Sequence, residues 1–226
     1  MKARELYDWP ESLPFMEYFD MEAKPWEWLP QIKVALEAFD FPPSGTPAEI
    51  PPGVSIKGLV YLHPSVKLPA YCTIEGPVWI GEDVQIRPGA YIRGNVIVGK
   101  GSVLGNACEF KNCLLMEEVE TPHYNYVGDS ILGNRAHLGA GAICANLRLA
   151  RDEVVIRMEG HRYHTGLRKV GAMMGDGSEA GCNSVLQPGT ILGRRAAVIS
   201  MPFNGYLPAN KIAIPENKYR VLSRPE

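Results

Sequence analysis

The chain is 226 residues long, 46% hydrophobic, and carries a formal net charge of −2 with no long basic run. That composition can fill a substantial core and argues against nucleic acid or an anionic membrane surface as the partner. No apolar run approaches the roughly 20 residues of a membrane span, and residues 1–9 are charged where a secretory signal turns apolar. Five cysteines without a CxxC then read as reduced thiols of a cytoplasmic protein, with no metal site.

Residues 1–50 are aromatic and acidic, with Tyr7, Trp9, Phe15, Tyr18 and Phe19 ahead of Pro25-Trp26-Glu27-Trp28-Leu29-Pro30. Over residues 31–41, Ile32, Ala35, Leu36 and Phe39 fall at helical spacing, which predicts one short amphipathic helix. The stretch is expected to be a helical cap that packs on the first coils or on a neighbouring subunit, followed by a Phe-Pro-Pro-Ser-Gly linker or turn at residues 41–45.

From Ile56 an apolar residue then recurs at every sixth position: Ile56, Leu62, Leu68, Ile74, Ile80, Ile86, Ile92, Val98, Leu104, Phe110 and Met116. Two residues before most of them stands a small or β-branched partner such as Val54, Val78, Ala90 or Cys108. Neither a helix nor a hairpin sustains that period. It predicts an all-β solenoid of short parallel strands, three to a coil, with Gly and Pro at many corners and coils about 4.8 Å apart. The beat is lost over 117–126 and again over 147–168, where Gly160 can turn a hairpin against Tyr163. Both stretches are expected to leave the coil as excursions. It returns from Met174 through Ala180, Leu186 and Leu192 to Val198, giving a repeat domain over 51–201 and a tail with little regular structure over 202–226.

Ordered motifs lie within the repeat: Arg87-Pro88-Gly89, Glu109-Phe110-Lys111, His123-Tyr124-Asn125-Tyr126-Val127-Gly128-Asp129, Gly139-Ala140-Gly141 and Asn146. On these the chain, over about residues 50–210, resembles the C-terminal acetyltransferase domain of the bifunctional UDP-N-acetylglucosamine pyrophosphorylase/glucosamine-1-phosphate N-acetyltransferase. The resemblance implies a single-stranded left-handed parallel β-helix, acetyl-CoA as co-substrate, an amino sugar or sugar phosphate as acceptor, and a homotrimer with sites between neighbouring prisms. By position it implies His123 as catalytic base and Arg87, Lys111, Tyr126, Asn146 and Lys169 as acceptor-binding residues. Ala140, Cys182 and Ser200 would meet the cofactor, with Arg194, Arg195 and Lys211 as further candidates for its phosphates. The sequence departs from the family at His137, Leu147 and Cys182 and carries the 147–168 insertion. The family's uridylyltransferase domain is absent, so nucleotidyl transfer is not expected.

These residue types suit the chemistry. An amine that attacks a thioester must lose a proton, which a histidine near its ordinary pKa can take. Fixed cations such as Arg87 and Lys111 hold phosphate, and backbone N–H groups beside glycine can approach a developing oxyanion. Three alternatives stand beside this reading. The first is a non-catalytic β-helix that binds a sugar nucleotide or a protein partner. The second is a metal hydratase on the same solenoid, drawing on His123, His137, His161 and His164. The third is an acyl-enzyme route through Cys144 or Cys182.

Overall fold

The computed structural model describes residues 1–42 and 49–216. The linker expected at 41–45 therefore falls mostly outside the described residues, as does the end of the tail.

Short parallel strands wind into a three-faced β-helix. On the first face Ile56, Ile74, Ile92, Phe110, Val127, Cys144, Leu186 and Phe203 stack in register. The second face stacks Leu62, Ile80, Val98, Leu115, Leu132, Met174, Leu192 and Leu207. Ile86, Leu104, Thr121, Leu138, Ala180, Val198 and Ala213 line the third. Interior rungs such as Ile74, Ile80 and Leu132 are fully buried, each contributing on the order of 1.5–3 kcal/mol. The expected parallel β-helix with an N-terminal helix is the fold of this chain.

Three expectations about its course are corrected. The register slips by one residue between Arg93 and Val96 against the next coil, so Val98 pairs with Leu115 and not with Met116. Met116 turns outward into a second core. Residues 117–126 do not leave the coil, because Glu120–His123 is a regular rung paired with Val103–Asn106. Each coil there is simply one residue shorter, which shifts the phase. The solenoid also runs on past 201, with paired rungs at Pro202–Phe203, Tyr206–Leu207 and Ile212–Ala213.

The N-terminal segment lies along the second face rather than over the open end. Helix α1 (Trp28–Ala38) follows a 3-10 turn, and Pro30 falls in its first turn, where no N–H partner is needed. Its buried side, with Trp26, Phe15 and Phe19, packs on outward-facing Trp79, Ile97, Leu114 and Ile131. Trp79 stacks on Tyr61 with centroids 3.9 Å apart and meets Phe15 edge-on at 5.4 Å. Arg194 secures the far end with a bidentate contact to Asp8, 2.6 and 2.9 Å, beside Asp176.

The stretch at 147–168 departs between the first and second faces, and an antiparallel bridge from Leu147 to Lys169 closes its base. Val155–Met158 and His161–His164 form a hairpin in which Ile156 opposes Tyr163. Glu159 and Gly160 turn it with positive φ at both, as a tight two-residue hairpin requires. Val154, Ile156 and Met158 are buried, and Tyr163 lies 5.8 Å from the Trp26 ring.

Candidate functional site

The residues singled out in the sequence lie along two edges of the prism that bound the first face. Arg87, His123, Ala140, Cys182 and Ser200 follow one edge. Lys111, Asn146 and Lys169 follow the other, and Tyr126 stands on the face between them.

On the first edge the coils are stitched closely. The Gly141 N–H donates to the His123 carbonyl at 3.0 Å, and the Asn183 N–H to the Ala140 carbonyl at 2.8 Å. A Cβ on Gly139 would come within 2.6 Å of the Cys182 nitrogen, and one on Gly181 within 3.0 Å of the Ser200 nitrogen. Glycine at these corners is therefore a packing requirement. Ala140, Cys182 and Ser200 thus descend one coil at a time, at the ~4.8 Å strand spacing, with His123 directly above them. Gly139 and Gly141 spend their N–H groups on neighbouring carbonyls, while the Ala140 N–H has no partner among the described residues.

Asn125, which no sequence signal singles out, holds this edge together. Only 2% exposed, it accepts the His123 N–H at 3.2 Å and donates to the carbonyls of Gly139, 2.8 Å, and Ala142, 3.2 Å. One buried amide so fixes the histidine corner against the Gly139-Ala140-Gly141 corner below it. The imidazole of His123 is exposed and makes no hydrogen bond, ion pair or ring contact among the described residues. Arg87 sits higher on the same edge, half-buried and without an ion pair.

The second edge carries a tighter polar cluster. Asp129, 4% exposed and at φ +46°, accepts from Lys111 Nζ at 3.0 and 3.1 Å, from Asn112 Nδ2 at 2.9 Å and from Asn146 Nδ2. Asn146 also reaches the Tyr126 hydroxyl at 3.2 Å. Gly128 makes room for that meeting, since a Cβ there would lie 2.7 Å from Asn146 Nδ2. Burial pushes the Tyr126 phenol above its ordinary pKa, against a smaller downward pull from Asn146, so it stays a neutral hydroxyl. Asp129 was legible only as the end of the Gly-Asp motif. Its role is to hold the Lys111 ammonium, so a phosphate arriving at Lys111 competes with a carboxylate already present. A cleft of about 520 Å³ opens beside this cluster, lined by Leu29, Asn112, Asp129, Arg151, Arg168 and Lys169 among others.

Other candidates lie elsewhere. His137 faces outward on the third face with Nδ1 3.0 Å from Glu120, and His164 meets Glu153 at 2.9 Å in the hairpin. Among the described residues no three His, Cys, Asp or Glu side chains gather as metal ligands, and no helix is long and apolar enough to cross a membrane. Arg194 is committed to Asp8 and Asp176 and Arg195 to Asn210, away from the edge proposed for the cofactor. Cys144 is a buried rung whose thiol burial pushes up to about 12, whereas Cys182 is exposed at a corner.

The chain is similar to several known proteins. The GMPPB C-terminal domain family matches residues 74–162. The bifunctional sugar-1-phosphate nucleotidylyltransferase/acetyltransferase of Sulfurisphaera tokodaii is 34% identical over 77% of this chain and 43% of its own length. The bifunctional protein GlmU of Methanocaldococcus jannaschii is 32% identical over 78% of this chain and 42% of its own. This chain therefore spans less than half the length of these relatives. Francisella novicida UDP-N-acetylglucosamine acyltransferase superposes with a TM-score of 0.43 at 14% identity, over 77% of this chain and 64% of that one. From its six-residue repeat, three rungs to a coil, and these sequence relatives, the chain is a hexapeptide-repeat β-helix that resembles the acetyltransferase part of the bifunctional GlmU-type proteins.

Proposed function

We propose that this chain transfers an acetyl group from acetyl-CoA to the amine of an amino sugar, a sugar phosphate such as glucosamine 1-phosphate, by direct attack. The observation that carries the reading is the pairing of the His123 corner with the Ala140 corner through Asn125 and the Gly141 N–H. It brings a free imidazole within one coil of a free backbone N–H. The thioester arm would run down the edge past Ala140, Cys182 and Ser200, its carbonyl oxygen toward the Ala140 N–H. That donor would bind the oxyanion as it forms.

The acceptor would lie across the first face. Tyr126 is three residues beyond His123, at most about 10 Å of chain. Tyr126 and Asn146 would orient the sugar hydroxyls, and Arg87, Lys111 and Lys169 are the cations available to its phosphate. The amine adds to the thioester carbon, His123 takes the ammonium proton, and the tetrahedral intermediate collapses with loss of the CoA thiolate. The thiolate then receives that proton or one from water. General-base help of this kind is worth about 10²–10⁴ in rate. Because the N-terminal segment covers the second face, the first and third faces remain for the homotrimer we propose. Resemblance to sequences named as acetyltransferases supports the reaction class.

The test is thiol release from acetyl-CoA with glucosamine 1-phosphate and related amines, with His123→Ala alongside. The reading expects turnover by the wild type and a loss of 10² or more in kcat in the variant, on the general-base scale. Equal rates would remove His123 from the mechanism. Binding of acetyl-CoA without thiol release over the whole panel would favour the non-catalytic alternative.

A further inference from the structure

The insertion is basic in an otherwise acidic chain. Residues 147–168 hold five Arg against three Asp or Glu, while the whole chain is −2. Some of this charge is paired, Arg148 with Asp152 and His164 with Glu153. Arg157 and Arg162 are different. They stand directly opposite one another on the hairpin, both exposed, and neither guanidinium has an ion pair or side-chain hydrogen bond among the described residues. Like charges opposed across two strands destabilise a hairpin, so this one holds its two forks together without an internal counter-charge.

Both arginines line a cleft of about 770 Å³ between the outer side of the hairpin and the edge of the solenoid. Gln187 and Asn204 add polar groups to its wall, and Pro188 with the fully exposed Leu149 adds apolar surface. The volume falls within the ordinary range for small-molecule sites. The wall is firmly seated, because the hairpin rests on Gly189, where a Cβ would meet Val154 at 2.9 Å and Ile156 at 3.1 Å.

We propose that the Arg157–Arg162 pair is an anion subsite that takes the phosphate groups of a small-molecule ligand. Two planar guanidinium forks side by side match phosphate oxygens bidentately, and the bound anion removes the repulsion between them. The cleft also reaches Ala145 and Leu147, on either side of Asn146, so it opens next to the acceptor site without depending on the acetyl-transfer reading. Its ligand is a nucleotide, with the base against Leu149 and Pro188, or a smaller phosphate compound held by the arginines alone.

Isothermal titration of the full chain with UDP and with inorganic pyrophosphate, wild type against Arg157→Gln/Arg162→Gln, tests the proposal. The wild type should bind at least one probe, with affinity that falls as salt rises, and the double variant should bind it at least tenfold more weakly. UDP binding tighter than pyrophosphate identifies a nucleotide, and equal affinities identify the smaller phosphate ligand. Without ligand, the variant should melt at or above the wild-type temperature, because the opposed charges are gone. Wild-type protein that binds neither probe, or a variant that binds as tightly as the wild type, overturns the proposal. So does a variant that melts several degrees lower without ligand.

Discussion

Replacing Asn125 probes the joint that the proposed chemistry depends on. Asn125→Ala deprives the part-buried His123 N–H and the buried Ala142 carbonyl of their partners, while the Gly139 carbonyl keeps a second donor in the Ala142 N–H at 3.0 Å. A buried unsatisfied group costs about 1–3 kcal/mol and a part-buried one less, so the variant should lose about 1–4 kcal/mol of stability. In a chain of this size that lowers Tm by about 2–16 °C. Asn125→Asp keeps an acceptor for the His123 N–H but turns a carboxylate oxygen toward two carbonyls, so it should be at least as damaging at neutral pH. It should recover in part as the pH falls and the carboxyl becomes a donor. With the corner loosened, acetyl transfer should fall about 10²-fold, the scale of a 1 Å misplacement. Differential scanning fluorimetry from pH 4.5 to 8 and thiol-release rates read both effects. An Asn125→Ala protein within 1 °C of wild type, or an Asn125→Asp protein with no pH dependence of its own, would refute this account of the joint.

Two further predictions concern thiols and the cap. At pH 8 in the folded protein, iodoacetamide should label Cys182 alone, counted by mass spectrometry, because burial raises the other thiols: Cys72 to about 11 and Cys144 to about 12, with Cys108 and Cys113 also shifted upward. Labelling of Cys144 before unfolding would contradict the buried-rung assignment. Arg194→Ala should free the N-terminal segment from the second face and destabilise the chain by about 1–3 kcal/mol at pH 7. The hydrogen bond from Arg194 holds the Asp8 carboxyl below its ordinary pKa, so the stability it adds is present above the unfolded value and fades as pH falls through the lower folded one. Burial raises the Asp176 carboxyl, so its folded-state ionisation is costly only above the ordinary carboxylate range. Both signs make the Arg194→Ala deficit in chemical denaturation larger at pH 7 than at pH 4, and an equal deficit at the two would refute them.

The interior of the fold was legible because its period is enforced by stacking: every sixth residue meets its counterpart one coil away, so Ile74, Ile80 and Ile86 announce three faces at once. The one-residue shortening after Phe110 was not legible as such. Shifting the phase by one looks the same in sequence as leaving the coil, and only the pairing of Glu120–His123 distinguishes them. The seat of the N-terminal segment did leave a trace. Second-face rungs read as continuous apolar runs, Val60-Tyr61-Leu62, Val78-Trp79-Ile80, Val96-Ile97-Val98, where first-face rungs alternate, which is the mark of strands buried on both sides. At the site, the motifs exposed His123, Tyr126 and Asn146, but not the partners that set their geometry. Asn125 and Asp129 act through contacts one coil away, and sequence spacing carries no record of which corner lies beneath which.

The most direct measurement is the identity of the product. The chain would be incubated with acetyl-CoA labelled with 13C at the acetyl carbonyl and glucosamine 1-phosphate, and the sugar fraction read by NMR. An amide carbonyl on the sugar nitrogen is expected, formed at a rate that His123→Ala reduces by two orders of magnitude or more, as loss of a general base would. An ester on a sugar oxygen, a label that stays on CoA, or amide formation at the rate of protein-free buffer would contradict it.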